Sequence, residues 1–293
     1  MAIEYDPEKK LVTGVDNDPS MRTMMRRTRN IYHATPDEIK EVGMQWYGKV
    51  NTAARKAVRG VPGRDVEHAA GVIAAVSPNM DWERDNIAAF DELKSLSGRQ
   101  WEVIHESASQ TPVIGANGRR SKPKRTEAAE EVLQGMGLAK APDNNLVKAH
   151  RIFVKGEHPD VVLNRRDNPK IHSFHHNIAH PDTSPYVTVD GRMSDELVDA
   201  RRPWKQNRNI NSSALTNGAQ SRYDRMEESV SRVAEQEGIR PLQMQAINWE
   251  MGKVIERGHN PERKQGGPRR GQSYSGELNP PEGRSSSFDA GRS

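Results

Sequence analysis

Between residues 36 and 58 the apolar side chains fall at three- and four-residue intervals: Ile39, Val42, Trp46, Val50 and Ala53/Ala54. That spacing lines one face of a helix. Thr35-Pro36-Asp37-Glu38 reads as its capping box, with proline in the first turn, and Val61-Pro62-Gly63 ends it. A second helix is predicted from about Asp65 to Val76, where Val66, Ala69/Ala70, Ile73 and Val76 form a stripe of small residues suited to close packing. Ser77-Pro78-Asn79 stops it, because proline disfavours helix at the residue before it. Asp81 is placed to cap a third helix carrying Ala89/Phe90, Leu93 and Leu96.

Residues 97 to 125 lose the period and read as an inserted polar, basic loop ending in GANGRRSKPKRT. Helical spacing returns from Thr126 to Gly135, from Asn144 to Lys155, briefly at Pro159 to Leu163, and again at Ile171, Phe174 and Ile178. The stretch YVTVDGRMSDEL, residues 186 to 197, changes character within itself. Val187 to Val189 is a short β-branched run, Asp190 follows, and Met193 and Leu197 then share one helical face. An aspartate at such a junction is an N-cap by its chemistry, since its oxygens accept the unpaired N–H groups of the first turn. The same geometry would hold a catalytic carboxylate rigid. A polar loop, RRPWKQNRNINSSALTN, separates this element from two last helices, one from Tyr223 to Gly238 and one from Pro241 to about Ile255. No internal repeat is visible. The expected architecture is all-α: an irregular segment over 1–30, a helical domain over 31–257, and a disordered basic tail over 258–293.

Composition narrows the classes. Only 33% of the 293 residues are apolar, which is lean for a single core and agrees with an unpacked tail. Cysteine is absent, so disulfides, thiolate-held zinc and iron–sulfur clusters are excluded, and a reducing cytoplasm is the expected location. No apolar run reaches the length of a membrane span, and MAIEYDPEKK lacks the pattern of a signal peptide. Net charge is +4 with a pI near 9.2, and the basic residues cluster, which suits a polyanionic partner.

Four motifs in order carry a resemblance. VIAAVSPNMDWERDNIAAFDELK is similar to the early core helix, polar loop and next helix of the helix-hairpin-helix DNA glycosylases. GMGLAKAPDNNLVKAHRIF is similar to their glycine–leucine segment and following helix. NPKIHSFHHNI and then TVDGRM resemble their hairpin's second helix and their catalytic Val-Asp turn. With the late QAINW helix, the chain also resembles a group of actinobacteriophage proteins of that type, over about residues 31–255. The resemblance implies a helical bundle that binds double-stranded DNA as a monomer without cofactor or metal, in the host cytoplasm if phage-encoded.

It also implies roles. Asp190 would expel the base and activate the attacking group, and Lys170 would be the amine of a bifunctional mechanism. Glycosidic cleavage passes through an oxocarbenium-like state that a nearby carboxylate stabilises, and lysine attacks only where burial or positive neighbours lower its pKa. Ser77, Asn79 and Trp82 would meet the extruded base. Arg165, Arg166, Asn168, Arg192, Arg119, Arg120, Lys122 and Lys124 would contact the DNA. Two further activities fit the same scaffold: hypermodification of bases in phage DNA, and DNA binding without catalysis. The chain departs from the family where Asp167-Asn168-Pro169 replaces a glycine hairpin, and where Gly191-Arg192 follows the aspartate. His172, His176 and His180 share a helical face at a spacing compatible with zinc. With no His-Glu-x-x-His motif beside them, these residues and His175 are expected to divide between surface, phosphate-facing and packed roles.

Overall fold

The computed structural model describes residues 4–6, 11–13, 19–78, 94–111, 113–114, 120–121, 124–136, 138–139, 141–198 and 222–259. Its elements are β1 (Glu4–Asp6), β2 (Leu11–Thr13), α1 (Met21–Ala34), α2 (Asp37–Val58), α3 (Val66–Val76), α4 (Gly98–Ala108) and β3 (Val113–Ile114). Then follow β4 (Arg120–Ser121), α5 (Glu127–Gly135), α6 (Asp143–Phe153), α7 (Pro159–Val162), α8 (Pro169–Ala179), α9 (Gly191–Val198), α10 (Arg222–Gln236) and α11 (Pro241–His259). The class is all-α, with two short antiparallel pairs, β1–β2 and β3–β4, among the described residues. No described helix is long and apolar enough to cross a membrane. The chain divides into Met1–Val254, which holds both cores described below, and Ile255–Ser293, of which only residues 255–259 are described. The third predicted helix (apart from its last turn), the loop after residue 200 and the tail lie outside the described residues.

The small-residue helix is the hub. Every residue of α3 from Ala69 to Val76 is buried, and α2, α6, α7 and α8 all pack against it. Asp65 caps it, accepting from the His68 N–H. A Cβ on Gly71 would lie 2.8 Å from the Pro159 ring, so the bare glycine is what lets the start of α7 press against α3. Around α3 sits the larger core, which includes Trp46, Tyr47, Trp101, Leu133, Leu146, Ile152, Phe174 and Ile178. A second core gathers Met24 of α1, Val187, Val189, Met193 and Leu197, and Tyr223, Met226 and Val230 of α10.

Three expectations are corrected. Residues 21–30 are not irregular: α1 runs through them, capped by Ser20 and burying Met24 and Thr28. Met21, Met24, Met25 and Thr28 keep the helical period, but the arginines between them hide it. Residues 97–125 are not a simple loop, for Ser97 and Gln100 form a capping box that starts α4, and Trp101 and Ile104 anchor it. Thr35 does not cap α2. Its hydroxyl donates back to the Ile31 carbonyl at 2.7 Å, and α2 starts from Pro36 with no side-chain cap. The α2 stripe is correspondingly turned, so that Gly43, Tyr47 and Asn51 are buried while Val42 is exposed.

Candidate functional site

Residues 185–190 run extended between the two cores. Extended backbone alternates its side chains: Val187 and Val189 enter the second core, while Thr188 faces the other way, to Tyr47 and Asn177. Among the described residues no strand pairs with this backbone. Instead α10 does so with side chains. Glu227 accepts from the Val187 N–H at 2.8 Å, and the Tyr223 hydroxyl accepts from the Val189 N–H at 3.1 Å while donating to the Val187 carbonyl at 3.0 Å.

That alternation fixes Asp190 on the Thr188 side, toward the larger core. Its Oδ1 accepts from the Met193 N–H at 2.8 Å, so the N-cap expected from the sequence is present. Its Oδ2 accepts from the Trp249 indole N–H at 3.2 Å. The carboxylate is therefore held at two points, and it remains half-buried rather than sealed. Trp249 meets Trp46 edge-on at 5.9 Å, and Trp46 meets Phe174 at 6.2 Å. The crossing of α2 and α11 that brings the tryptophans together depends on Gly43, where a Cβ would lie 2.6 Å from the Ile247 backbone. Two cations lie against the indole, Lys253 Nζ at 3.9 Å and Arg192 Cζ at 5.1 Å from its ring centre, and Lys253 is itself paired with Glu250 at 2.9 Å. Beneath it the Tyr47 hydroxyl donates to Gln245 at 2.7 Å, and burial pushes its phenol well above the usual range.

Lys170 is half-buried in the first turn of α8, one turn before Phe174 and on the same face. Through Phe174, Trp46 and Trp249 that face is linked to Asp190 by a continuous run of ring contacts. The other expected contacts have varied fates. Arg165 is committed within the protein: it binds Glu227 and, at 3.0 Å, Asp224, and it lies over the Tyr186 ring. Asn168 is not left-handed (φ −138°) and accepts from Lys148. Burial lowers the pKa of Lys148 despite the opposing charge of Asp167. Arg166 and Lys124 are exposed. The Ser77 hydroxyl donates to the Ala74 carbonyl at 2.9 Å, closing α3. Asn79, Trp82, Arg119 and Lys122 lie outside the described residues, and of Arg120 only the backbone, in β4, is described.

The partner of Asp190 was missed in the sequence, where Trp249 reads as an ordinary core residue of an amphipathic helix. Nothing local marks an indole for a carboxylate 59 positions earlier.

The histidines form a second constellation on the opposite face of α8. His176 Nε2 lies 2.7 Å from Asp160 Oδ1, and His172 Nε2 and His175 Nδ1 each lie 3.7 Å from the same oxygen. His175 Nε2 pairs with Glu67 Oε2 at 2.8 Å, and His180 pairs with the other oxygen of Glu67. Burial pushes the His172 imidazole down to about 4 and also lowers His176. Burial alone would raise the Glu67 carboxyl, but the hydrogen bond from His175 and the nearby imidazoles outweigh it and hold it below its usual range. Asp182, the nearest carboxylate in sequence, is instead 2.7 Å from Arg240.

No curated protein and no solved structure matches this chain. The signature of a family of unknown function, DUF7178, matches residues 14–100 and 105–257. Those two segments carry the α1–α11 framework, both cores, Asp190 and the histidine cluster, and the chain belongs to the DUF7178 family.

Proposed function

We propose that this protein binds duplex DNA and cleaves the N-glycosidic bond of a damaged or modified base, with Asp190 as the carboxylate that stabilises the oxocarbenium-like sugar. The observation that carries this reading is the two-point fixation of a half-exposed aspartate, capped on one oxygen by Met193 and held on the other by Trp249. A carboxylate fixed before substrate arrives needs no reorganisation as positive charge develops on the sugar. Arg192 lies beside the indole, on the side of the aspartate where a flanking phosphate would come. The target nucleotide has to leave the stack, at a cost of a few kcal/mol that damage or modification reduces. Lys170, on the α8 face that reaches the same aromatic cluster, is the candidate amine for a covalent C1′ intermediate.

A noncatalytic DNA-binding role is favoured by a different observation. At the hairpin, Pro169 has no N–H to give, Asn168 already accepts from Lys148, and Arg165 is taken by Glu227 and Asp224. Incubating the full chain with duplexes carrying uracil, oxidised guanine, alkylated purines or hydroxymethyluracil separates the two. Free base from at least one duplex is expected, whereas tight binding with no release from any would establish the noncatalytic role. Borohydride should trap the protein on the cleaved duplex, and Lys170→Gln should prevent trapping. Undiminished trapping by that variant removes Lys170 from the chemistry.

A further inference from the structure

The face of α8 turned away from Phe174 gathers more ligand-type atoms than packing requires. Asp160, His175 and His176 each offer one metal-ligating atom, and these atoms all lie within 4.8 Å of one another. Around Asp160 Oδ1 the separations are 2.7 Å to His176 Nε2 and 3.7 Å to His175 Nδ1. A tetrahedral ion with bonds of about 2.0–2.1 Å sets its ligand atoms roughly 3.3 Å apart, midway between those values. His172 Nε2, also 3.7 Å from Asp160 Oδ1, lies beside this group without being part of it.

A second observation points to a ligand. His175 is fully buried, and its Nδ1 is without a hydrogen-bond partner among the described residues. A buried polar atom left unpaired costs about 1–3 kcal/mol, so such atoms are uncommon unless something binds them. The far side of the same ring explains its orientation. Nε2 donates to Glu67, which leaves Nδ1 as the lone-pair nitrogen and directs it toward Asp160. Carboxylate–histidine–metal arrays are built in this way, with the outer carboxylate fixing tautomer and ring. Here Glu67 also engages His180.

The fold invests in this placement. Gly71 lets the Pro159 ring press on α3, which brings Asp160 of α7 and Glu67 of α3 to opposite sides of α8 residues 175 and 176. The Asp160 side chain is 44% exposed while His175 is closed, so an ion has an entrance from solvent and a coordination position open to water.

We propose that Asp160, His175 and His176 bind a divalent first-row transition ion, Zn²⁺ foremost, with water at the fourth position and Glu67 orienting His175 from outside. Imidazole and carboxylate donors without thiolate suit Zn²⁺ and its neighbours rather than Ca²⁺ or Mg²⁺. The proposal is independent of the reaction at Asp190, which sits on the other face of α8, and its test reads metal directly.

The full chain is stripped with chelator, reloaded with Zn²⁺, dialysed and assayed for bound zinc by mass spectrometry, alongside Asp160→Asn, His176→Gln and Glu67→Gln. Circular dichroism checks that each variant folds. One tightly held ion per chain is expected, with that ion lost in Asp160→Asn and in His176→Gln. Glu67→Gln should bind roughly 10- to 100-fold more weakly, the usual effect of removing an outer partner. On the unaltered chain Co²⁺ should give the intense visible bands of a four-coordinate site, a reading that survives if a variant fails to fold. No retained zinc in the wild-type chain, or equal retention by the Asp160 and His176 variants, overturns the site, as do cobalt spectra of a hexa-aquo ion.

Discussion

Asp190 illustrates how one side chain can satisfy a structural role and remain available for another. A carboxylate has about four acceptor positions, and capping Met193 and receiving the Trp249 indole use two. Its position also depends on a residue that touches neither. Tyr223 bridges Val187 and Val189 through one hydroxyl, so Tyr223→Phe leaves a buried carbonyl and a buried N–H without that partner. Urea unfolding should show a loss of about 1–3 kcal/mol, and base release should fall with it because the extended segment is no longer pinned. Unchanged stability would mean that side-chain packing and the Glu227 bond hold the segment without Tyr223. At this scale the sequence was partly legible. The Asp190 cap could be read because a cap and its helix are neighbours. The capping pattern at Thr35 misled, because the same hydroxyl had an equally near acceptor in the helix before it.

Elements whose apolar faces are dense were legible, and those whose faces are sparse were not. From Ala69 onward α3 is apolar on every side because it is surrounded by helices, and α8 is buried at most of its positions. By contrast α1 presents a narrow methionine face among arginines, and α4 is anchored chiefly by Trp101 and Ile104. Helix crossings were not legible, since they depend on glycines whose neighbours are remote in sequence. Gly43 admits Ile247 and thereby the Trp46–Trp249 contact, and Gly71 admits Pro159 and thereby Asp160. A methyl group added at either position should destabilise the fold by about 1–3 kcal/mol. The consequences should differ in kind. Gly43→Ala should impair base release while leaving the histidine face intact, and Gly71→Ala should do the reverse. Thermal melts with both readouts on each variant test this. Loss of both functions in both variants would show that the two faces of α8 do not move separately.

For the molecule as a whole, the charged and titratable groups inside it set a pH dependence. His150 is 5% exposed, stacked at 4.2 Å on His105, and its Nδ1 lacks a partner among the described residues. Burial, with the nearby His105 and Lys155 charges, pushes its imidazole down from 6.5 to about 4. Between those values the unfolded chain takes up a proton that the folded chain refuses. The contribution is therefore complete above about pH 6.5 and is lost as pH falls toward 4, by up to about 3 kcal/mol. His150→Leu should flatten stability across that window relative to wild type, and parallel pH profiles would contradict the assignment. Phe174, one turn after Lys170, is connected to Asp190 through Trp46 and Trp249. Trp249, Glu67 and Asp160 could not be assigned from the sequence, because each acquires its role only when distant helices meet.

The central claim is that Asp190 acts on a glycosidic bond, and single-turnover base release tests it most directly. On the duplex released fastest by the wild-type chain, Asp190→Asn should slow release by roughly 10²–10⁴-fold while DNA affinity and melting temperature stay near wild type. Equal rates for the two proteins, or no free base from any duplex with the wild-type chain, would contradict it.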